Sequence, residues 1–564
     1  MSLQRLSAAG TLALVAALGG AGAQAAEAPQ YGGKLEIINY YSTLSALSWD
    51  PADYVWKINH DAGHIYESLI AGDLGKASSR GGSHTFQADA WLPPDVQRGE
   101  LAESWEVKPD PWRVEIKLRE GVMFPAKPGV MEARELTAED VVYSLNRLLK
   151  SPRAVPDYYS FVDRVEATGP HTLTIFKHEY RSDWDYRLGY GYYSQIYPRE
   201  VVEKGISDWR NANGTGPFRI ANYTQGNFAT YERNPDYWDS ETIDGKAYRL
   251  PYVDSFTYRT VMDESTRHSL LRTGRVDIME QIRWSAVEEL KKSAPDLKWR
   301  RSLMHFGVLL ALRNDTKPFD DVRVRRAMNM AVNKQEIIDA LYEGNAEMLA
   351  FPLHPDYAGI YRPLDELPEN VRALFAYDPD GAKQLLAEAG YPKGFKFQAQ
   401  VCACNPSHME LMPLLAAYYE QIGVTMEIVP MEYGAFFGAM NAKNHAAGYM
   451  MSKGHSNPAA ALYNSFTPGD PWNPAMYDSA EFNEGMLAVF REDDEAGQTE
   501  LLHELTDLVL SDAAYVYLPT AYTYAAWWPW VKGYDGELRA GSVKPGPIYA
   551  RIWIDQDLKK KMGY

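Results

Sequence analysis

The chain has 564 residues, 46% of them hydrophobic and 23% charged, with a formal net charge of −18. That length exceeds what one hydrophobic core usually serves, so two or three lobes are expected. The acidic balance argues against nucleic acid or an anionic membrane surface as partner, and two cysteines are too few for a disulfide framework. Aromatic content is high, with 38 Tyr and 15 Trp, which suits a large enclosed pocket as well as a core.

The first 25 residues read as a secretory signal peptide. Arg5 supplies the positive start, Leu12 to Leu18 the apolar centre, and Ala23-Gln24-Ala25 the small-x-small cleavage pattern. The apolar stretch is too short to span a bilayer. Neither a twin-Arg pair nor a cysteine at the cleavage point is present. The mature chain, starting near Ala26, is therefore expected to be free in the periplasm, with Arg5 lost and a net charge of −19. Lys559-Lys560-Lys561 reads as a solvated tail.

Lys34 to Asn39 is a predicted strand with Leu35 and Ile37 on one face. Residues 71–99 are rich in Gly, Ser and Pro and read as a long surface loop. Val114, Ile116 and Leu118 alternate with charged residues, as in a half-buried strand. Thr137 is placed to cap a helix, with Asp140 three residues on. Val141, Val142, Leu145, Leu148 and Leu149 form its stripe, and Ser151-Pro152 ends it. Leu173 and Ile175 mark another strand, and Gly214, Gly216 and Pro217 a tight turn before Phe218. Asp320 or Asp321 can cap the next helix, and Asp378-Pro379 opens another that Gly390 stops. Val424, Met426 and Ile428 read as a strand. Strands and helices alternate, which points to α/β lobes.

Catalytic signatures are missing. The chain has no His-Glu-x-x-His, no Gly-x-Ser-x-Gly and no phosphate-binding Gly-rich loop, and neither enzyme activity nor a cofactor is expected. His60, His64 and Glu67 can share a helix face, the weak outline of a zinc site. Cys402 and Cys404, two apart, can form a local disulfide or stay as thiols, with His408, Met409 and Met412 near enough for a soft-metal alternative.

Five segments, in order, resemble the peptide-, dipeptide- and nickel-binding receptors of ATP-binding-cassette importers, the extracellular solute-binding protein family 5. They are Leu101-Ala102-Glu103-Ser104-Trp105-Glu106; Asn213-Gly214-Thr215-Gly216-Pro217-Phe218 with Tyr231 through Trp238; Leu271 through Ile278; Pro318 through Ala327; and Tyr377-Asp378-Pro379 through Tyr391. The resemblance runs from about residue 31 to the C-terminus. It implies a two-lobe periplasmic-binding-protein fold of type II, cluster C-like, with an extra subdomain in the N-terminal lobe. One lobe takes residues 26–66, 212–302 and 523–564, the extra subdomain 67–211, and the second lobe 303–522. The implied ligand is a small molecule or peptide enclosed between the lobes. The implied partners are an inner-membrane permease and its ATPase, and the receptor itself is expected to be a monomer.

The same resemblance implies where the ligand sits. In the oligopeptide branch an aspartate of the second lobe pairs with the ligand's amino group; that position falls at Gly454, and Tyr433 to Gly469 contains no Asp or Glu. The segment instead carries Lys443, His445, Lys453 and His455. This wall suits a neutral or anionic ligand unless an acid from another segment substitutes. A peptide, an oligosaccharide or glycoside, and an anionic compound or metal complex all stay open, with Lys453 and His455 holding the last. The candidate wall residues are Tyr40, Tyr41, Ser42, Tyr192, Tyr193, Met451, His455, Ser456 and Asn457, with Trp472 closing over them. The shared Gly214, Gly216, Pro217, Tyr237, Trp238, Arg323 and Arg325 are expected to be structural.

Overall fold

A computed structural model describes residues 27–39, 48–53, 57–86, 91–152, 154–304, 306–454, 457–542 and 544–564. Leu35, Ile37 and Ile38 are fully buried. Their strand, Lys34–Asn39, lies mid-sheet, parallel to both Ser255–Thr260 and Ile278–Arg283. The sheet continues through Thr520–Trp527 to Lys298–Leu303, both antiparallel additions. It is the floor of the first lobe.

The second lobe is built on a five-stranded sheet with Gly307–Leu312 in it, between Gly448–Lys453 and Tyr515–Leu518. Every residue of Gly307–Leu312 is buried. Alternation explains why a continuous apolar run is needed. Leu309 and Ala311 join the core on one face, and Val308, Leu310 and Leu312 the core on the other.

The extra subdomain carries a four-stranded antiparallel sheet, Ala102–Lys108, Arg113–Leu118, Thr172–Lys177 and Val162–Gly169 in spatial order. Val114, Ile116 and Leu118 are buried, as their alternation predicts. The helix Ala138–Leu149 packs on this sheet. Thr137 and Asp140 form its capping box, and Asp140 also receives Arg134 at 2.7 Å. Asp321 and Asp378 cap their helices as expected, and Gly390 turns at φ +94°.

Two short crossings join the two large sheets. Leu518 ends one strand and Thr520 begins the other, with only Pro519 between. Leu303 and Gly307 are separated by residues 304–306. The Val308 amide donates to Thr520 Oγ1 at 3.1 Å, tying the crossings together. Short paired crossings of this kind act as hinges.

Two expectations need correction. Residues 71–99 are not a free surface loop. Ile70–Gly72 pairs with Gln97–Gly99, and Leu74, Ala77, Phe86, Leu92 and Val96 are buried. Backbone bonds from Leu538 and Arg539 to the Phe86 carbonyl pin the segment to the C-terminal region. Those apolar residues are too widely spaced to show a period. Lys559 is likewise no solvated tail: its ammonium donates to Asp277 Oδ1 at 2.7 Å and lies over Trp530.

The shared motifs are structural. A Cβ on Gly216 would lie 2.6 Å from the Ile65 carbonyl oxygen, so only glycine fits there. Tyr237 and Trp238 both donate to Glu67. Arg323 pairs with Asp321 and reaches the Glu388 carbonyl, and Arg325 donates to the Asp512 carbonyl.

Candidate functional site

The lobes meet along a seam between residues 156–193 of the extra subdomain and residues 451–491 of the second lobe. The Ser182 amide donates to the Phe490 carbonyl at 3.0 Å, and its hydroxyl to the Val489 carbonyl at 3.1 Å. Tyr158 donates its hydroxyl to Asp470 Oδ2 at 2.8 Å. Arg491 pairs with Glu179 at 3.0 Å.

Inside the seam, Asp183 is fully buried and accepts two arginines, Arg181 Nε at 2.8 Å and Arg187 Nε at 2.9 Å. Asp183 and Arg187 are one helical turn apart. The turn that carries Arg187, Asp185–Tyr190, is π-helical, a conformation that recurs at functional positions. The Arg181 guanidinium lies 3.6 Å over Phe490, and that of Arg187 lies 4.0 Å over Tyr158. Burial works to raise the Asp183 carboxyl, but the two guanidiniums outweigh it and hold the group below the usual carboxylate range. Asp185, buried beside them, is pushed up to about 6 by burial, against a hydrogen bond from Gln97.

Across the seam stands a second buried pair. Lys453 donates to the Asn464 carbonyl at 2.9 Å. Burial pushes its ammonium well down and the Asp470 carboxyl up, and each charge resists the other's shift. Asp470 also accepts the Trp472 amide at 2.8 Å and feels the charge of Arg187. A chain of groups, Asp183–Arg187–Tyr158–Asp470, thus links the lobes, and Lys453 feels the charge at its end.

Two of the predicted wall residues, Lys453 and Trp472, interact with this chain. The Trp472 amide bonds Asp470 and Lys453 feels its charge; Trp472 is 41% exposed, and its ring lies 6.3 Å from that of Phe437. Tyr192 and Tyr193 are half-buried with rings 6.0 Å apart, and burial beside Tyr159 pushes the Tyr193 hydroxyl up. Asn457 caps the helix Pro458–Phe466 and accepts from the Ala460 amide. Met451 sits apart from the chain, in the apolar core of the second lobe. Tyr40, Tyr41, Ser42, His455 and Ser456 lie outside the described residues.

Arg181, Asp183, Arg187, Tyr158 and Asp470 were not among the sequence candidates. The Asp183/Arg187 spacing of four was the readable signal. Asp470 is the first acid beyond the acid-free stretch, one residue past Gly469.

The metal alternatives dissolve. Cys402 and Cys404 form a disulfide with Cα atoms 5.1 Å apart, so of the two open states the structure takes the bonded one. His408 bonds Ser452 Oγ at 2.8 Å, and Met412 is core. His64 is enclosed by Tyr231, Phe256 and Tyr549 rings, and Glu67 accepts from Tyr237 and Trp238. No group of three metal-ligating side chains converges among the described residues. None of their helices is long and apolar enough to cross a membrane.

The geometry has clear relatives. The chain is 28% identical over 463 residues to the Heme-binding protein A of Haemophilus influenzae, covering 77% of this chain and 81% of that protein. It is 25% identical over 435 residues to the Glutathione-binding protein GsiB of Pectobacterium atrosepticum, covering 74% and 79%. The fold matches that of the periplasmic binding protein DppA from Helicobacter pylori, solved with the peptide STSA. The TM-score is 0.75 at 24% identity, over 93% of this chain and 99% of that one. The fold is therefore the two-lobe α/β fold of periplasmic binding proteins. The profile of the bacterial extracellular solute-binding proteins, family 5 Middle, matches residues 97–473, well over half of the chain, and the protein belongs to that family.

Proposed function

We propose that this protein is the periplasmic receptor of an ATP-binding-cassette importer, and that it encloses a peptide-like solute between its lobes for delivery to an inner-membrane permease and ATPase. The observation that carries this reading is the seam. Two lobes joined by short crossings at residues 304–306 and Pro519 meet through buried charges and aromatic rings, in a family of solute-binding proteins. A ligand closes such a seam only by binding the closed state better. About 5.5 kcal/mol of differential affinity shifts a mostly open population to a mostly closed one. A peptide-like solute is what two of the relatives' names, glutathione and STSA, have in common.

The remaining parts of the reading follow from it. Residues 1–25 act as a cleaved signal peptide. Residues 26–66, 212–302 and 523–564 form one lobe, 67–211 its added subdomain, and 303–522 the other lobe. Tyr192, Tyr193, Lys453, Asn457 and Trp472 contribute to the chamber wall, and Tyr40, Tyr41, Ser42, His455 and Ser456 are further ligand-binding residues. The protein acts as a monomer, without a cofactor, and leaves its ligand chemically unchanged.

Thermal-shift screening with pools of short peptides, oligosaccharides and metal complexes tests the ligand class. Peptides are expected to raise the melting temperature, by mass action of about 2.7 kcal/mol at a hundredfold excess over Kd. Stabilisation by sugars alone contradicts the peptide-like reading, and recovery of altered peptide contradicts a pure receptor.

A further inference from the structure

The seam holds the cations Arg181, Arg187 and Lys453 beside the carboxyl groups of Asp183, Asp185 and Asp470. Asp183 spends both its oxygens on the two Nε atoms, one arginine each. The Nη2 groups of Arg181 and Arg187 are buried, and no acceptor among the described residues reaches either. Each arginine is only 5% exposed. Leaving a cationic N–H buried without an acceptor is costly, more so than for a neutral donor. The aromatic faces of Phe490 and Tyr158 offset part of that cost and lock the guanidinium planes. They leave the in-plane N–H groups without the acceptor their geometry calls for.

We infer that Arg181 and Arg187 form the anion-recognising part of the ligand chamber, and that the solute carries a carboxylate received by their unpaired guanidinium edges. This rests on the receptor reading above and specifies the ligand within it. Planar guanidinium edges, each held by one bond to Asp183, match a carboxylate in a way an ammonium does not. The site is complete only when the lobes are together. Phe490 and Asp470 come from the second lobe, and the Arg187 plane lies on Tyr158, whose hydroxyl reaches Asp470. Carboxylate binding and closure are therefore coupled. The unpaired guanidinium edges mark the seam as a receiver of anions, in keeping with the acid-free stretch from Tyr433 to Gly469.

The test uses the full mature chain and two matched tripeptide pools, one with free C-terminal carboxylates and one with C-terminal amides. Binding is read by competition in native mass spectrometry and by thermal shift. The wild-type protein is expected to prefer the free acids by about tenfold or more. In Arg187→Gln and Arg181→Gln that preference should fall towards parity, with circular dichroism unchanged. Equal binding of acids and amides by the wild type overturns the inference and leaves the receptor reading intact, and this comparison needs no variant to fold. A preference that survives in both folded variants also overturns it. Binding of neither pool removes the peptide-like reading and this inference together.

Discussion

Asp183→Asn is expected to destabilise the protein by about 3–5 kcal/mol, the cost of breaking a buried ion pair by removing one partner. The carboxylate is fully buried and is the acceptor for Arg181 Nε and Arg187 Nε. Asparagine keeps the shape but removes the charge, leaving two buried cations side by side. The sign with pH follows from the depressed carboxyl. A carboxylate whose folded pKa lies below its unfolded value of about 3.9 contributes stability above that value and loses it as pH falls through the folded one. The variant should therefore be less stable at neutral pH, and the acid limb of its stability profile should be shallower. Urea midpoints followed by tryptophan fluorescence measure both. A loss below about 1 kcal/mol, the range of an exposed pair, would show that the two arginines do not depend on this carboxylate.

His408→Gln is expected to flatten the fall in stability on mild acidification. Burial pushes the imidazole down to about 4, whereas an unfolded histidine titrates near about 6.5. Between those values the unfolded chain binds a proton that the folded chain refuses. Stability is thus full above about pH 6.5 and is lost progressively down to about pH 4, by about 3 kcal/mol in all. Near about pH 5 the loss from this residue is about 2 kcal/mol. Glutamine can still bond Ser452 Oγ, the ring's partner at 2.8 Å, but does not titrate. The comparison of variant with wild type, at about pH 7.5 and about pH 5, isolates this group from others that titrate in the same window. Parallel losses in the two proteins would place the acid sensitivity elsewhere.

Local rules carried much of the fold. Thr137 with Asp140, Asp378 with Pro379, and the alternation of Val114, Ile116 and Leu118 are decided by neighbours a few residues apart, and each appears where it was expected. The ordered motifs carried the family. What stayed hidden depends on distant partners. Tyr158 and Asp470 are 312 residues apart, and nothing near either announces the bond. The π-helical turn that presents Arg187 shares its composition with an ordinary helix. Lys453 was readable as a cation near the ligand wall. That it faces Asp470 was not, because the acid lies one residue beyond the stretch that lacked one. Phe86 and Lys559 are held by Leu538, Arg539 and Asp277, contacts no periodicity encodes.

Native mass spectrometry of the protein, purified without denaturation from its host, tests whether a peptide-like solute is held between the lobes. A discrete mass excess that is lost on unfolding is expected, with a released molecule that is peptide-like and carries a carboxylate. A released neutral sugar, or a chain that stays unliganded and is stabilised by no peptide pool, would contradict it.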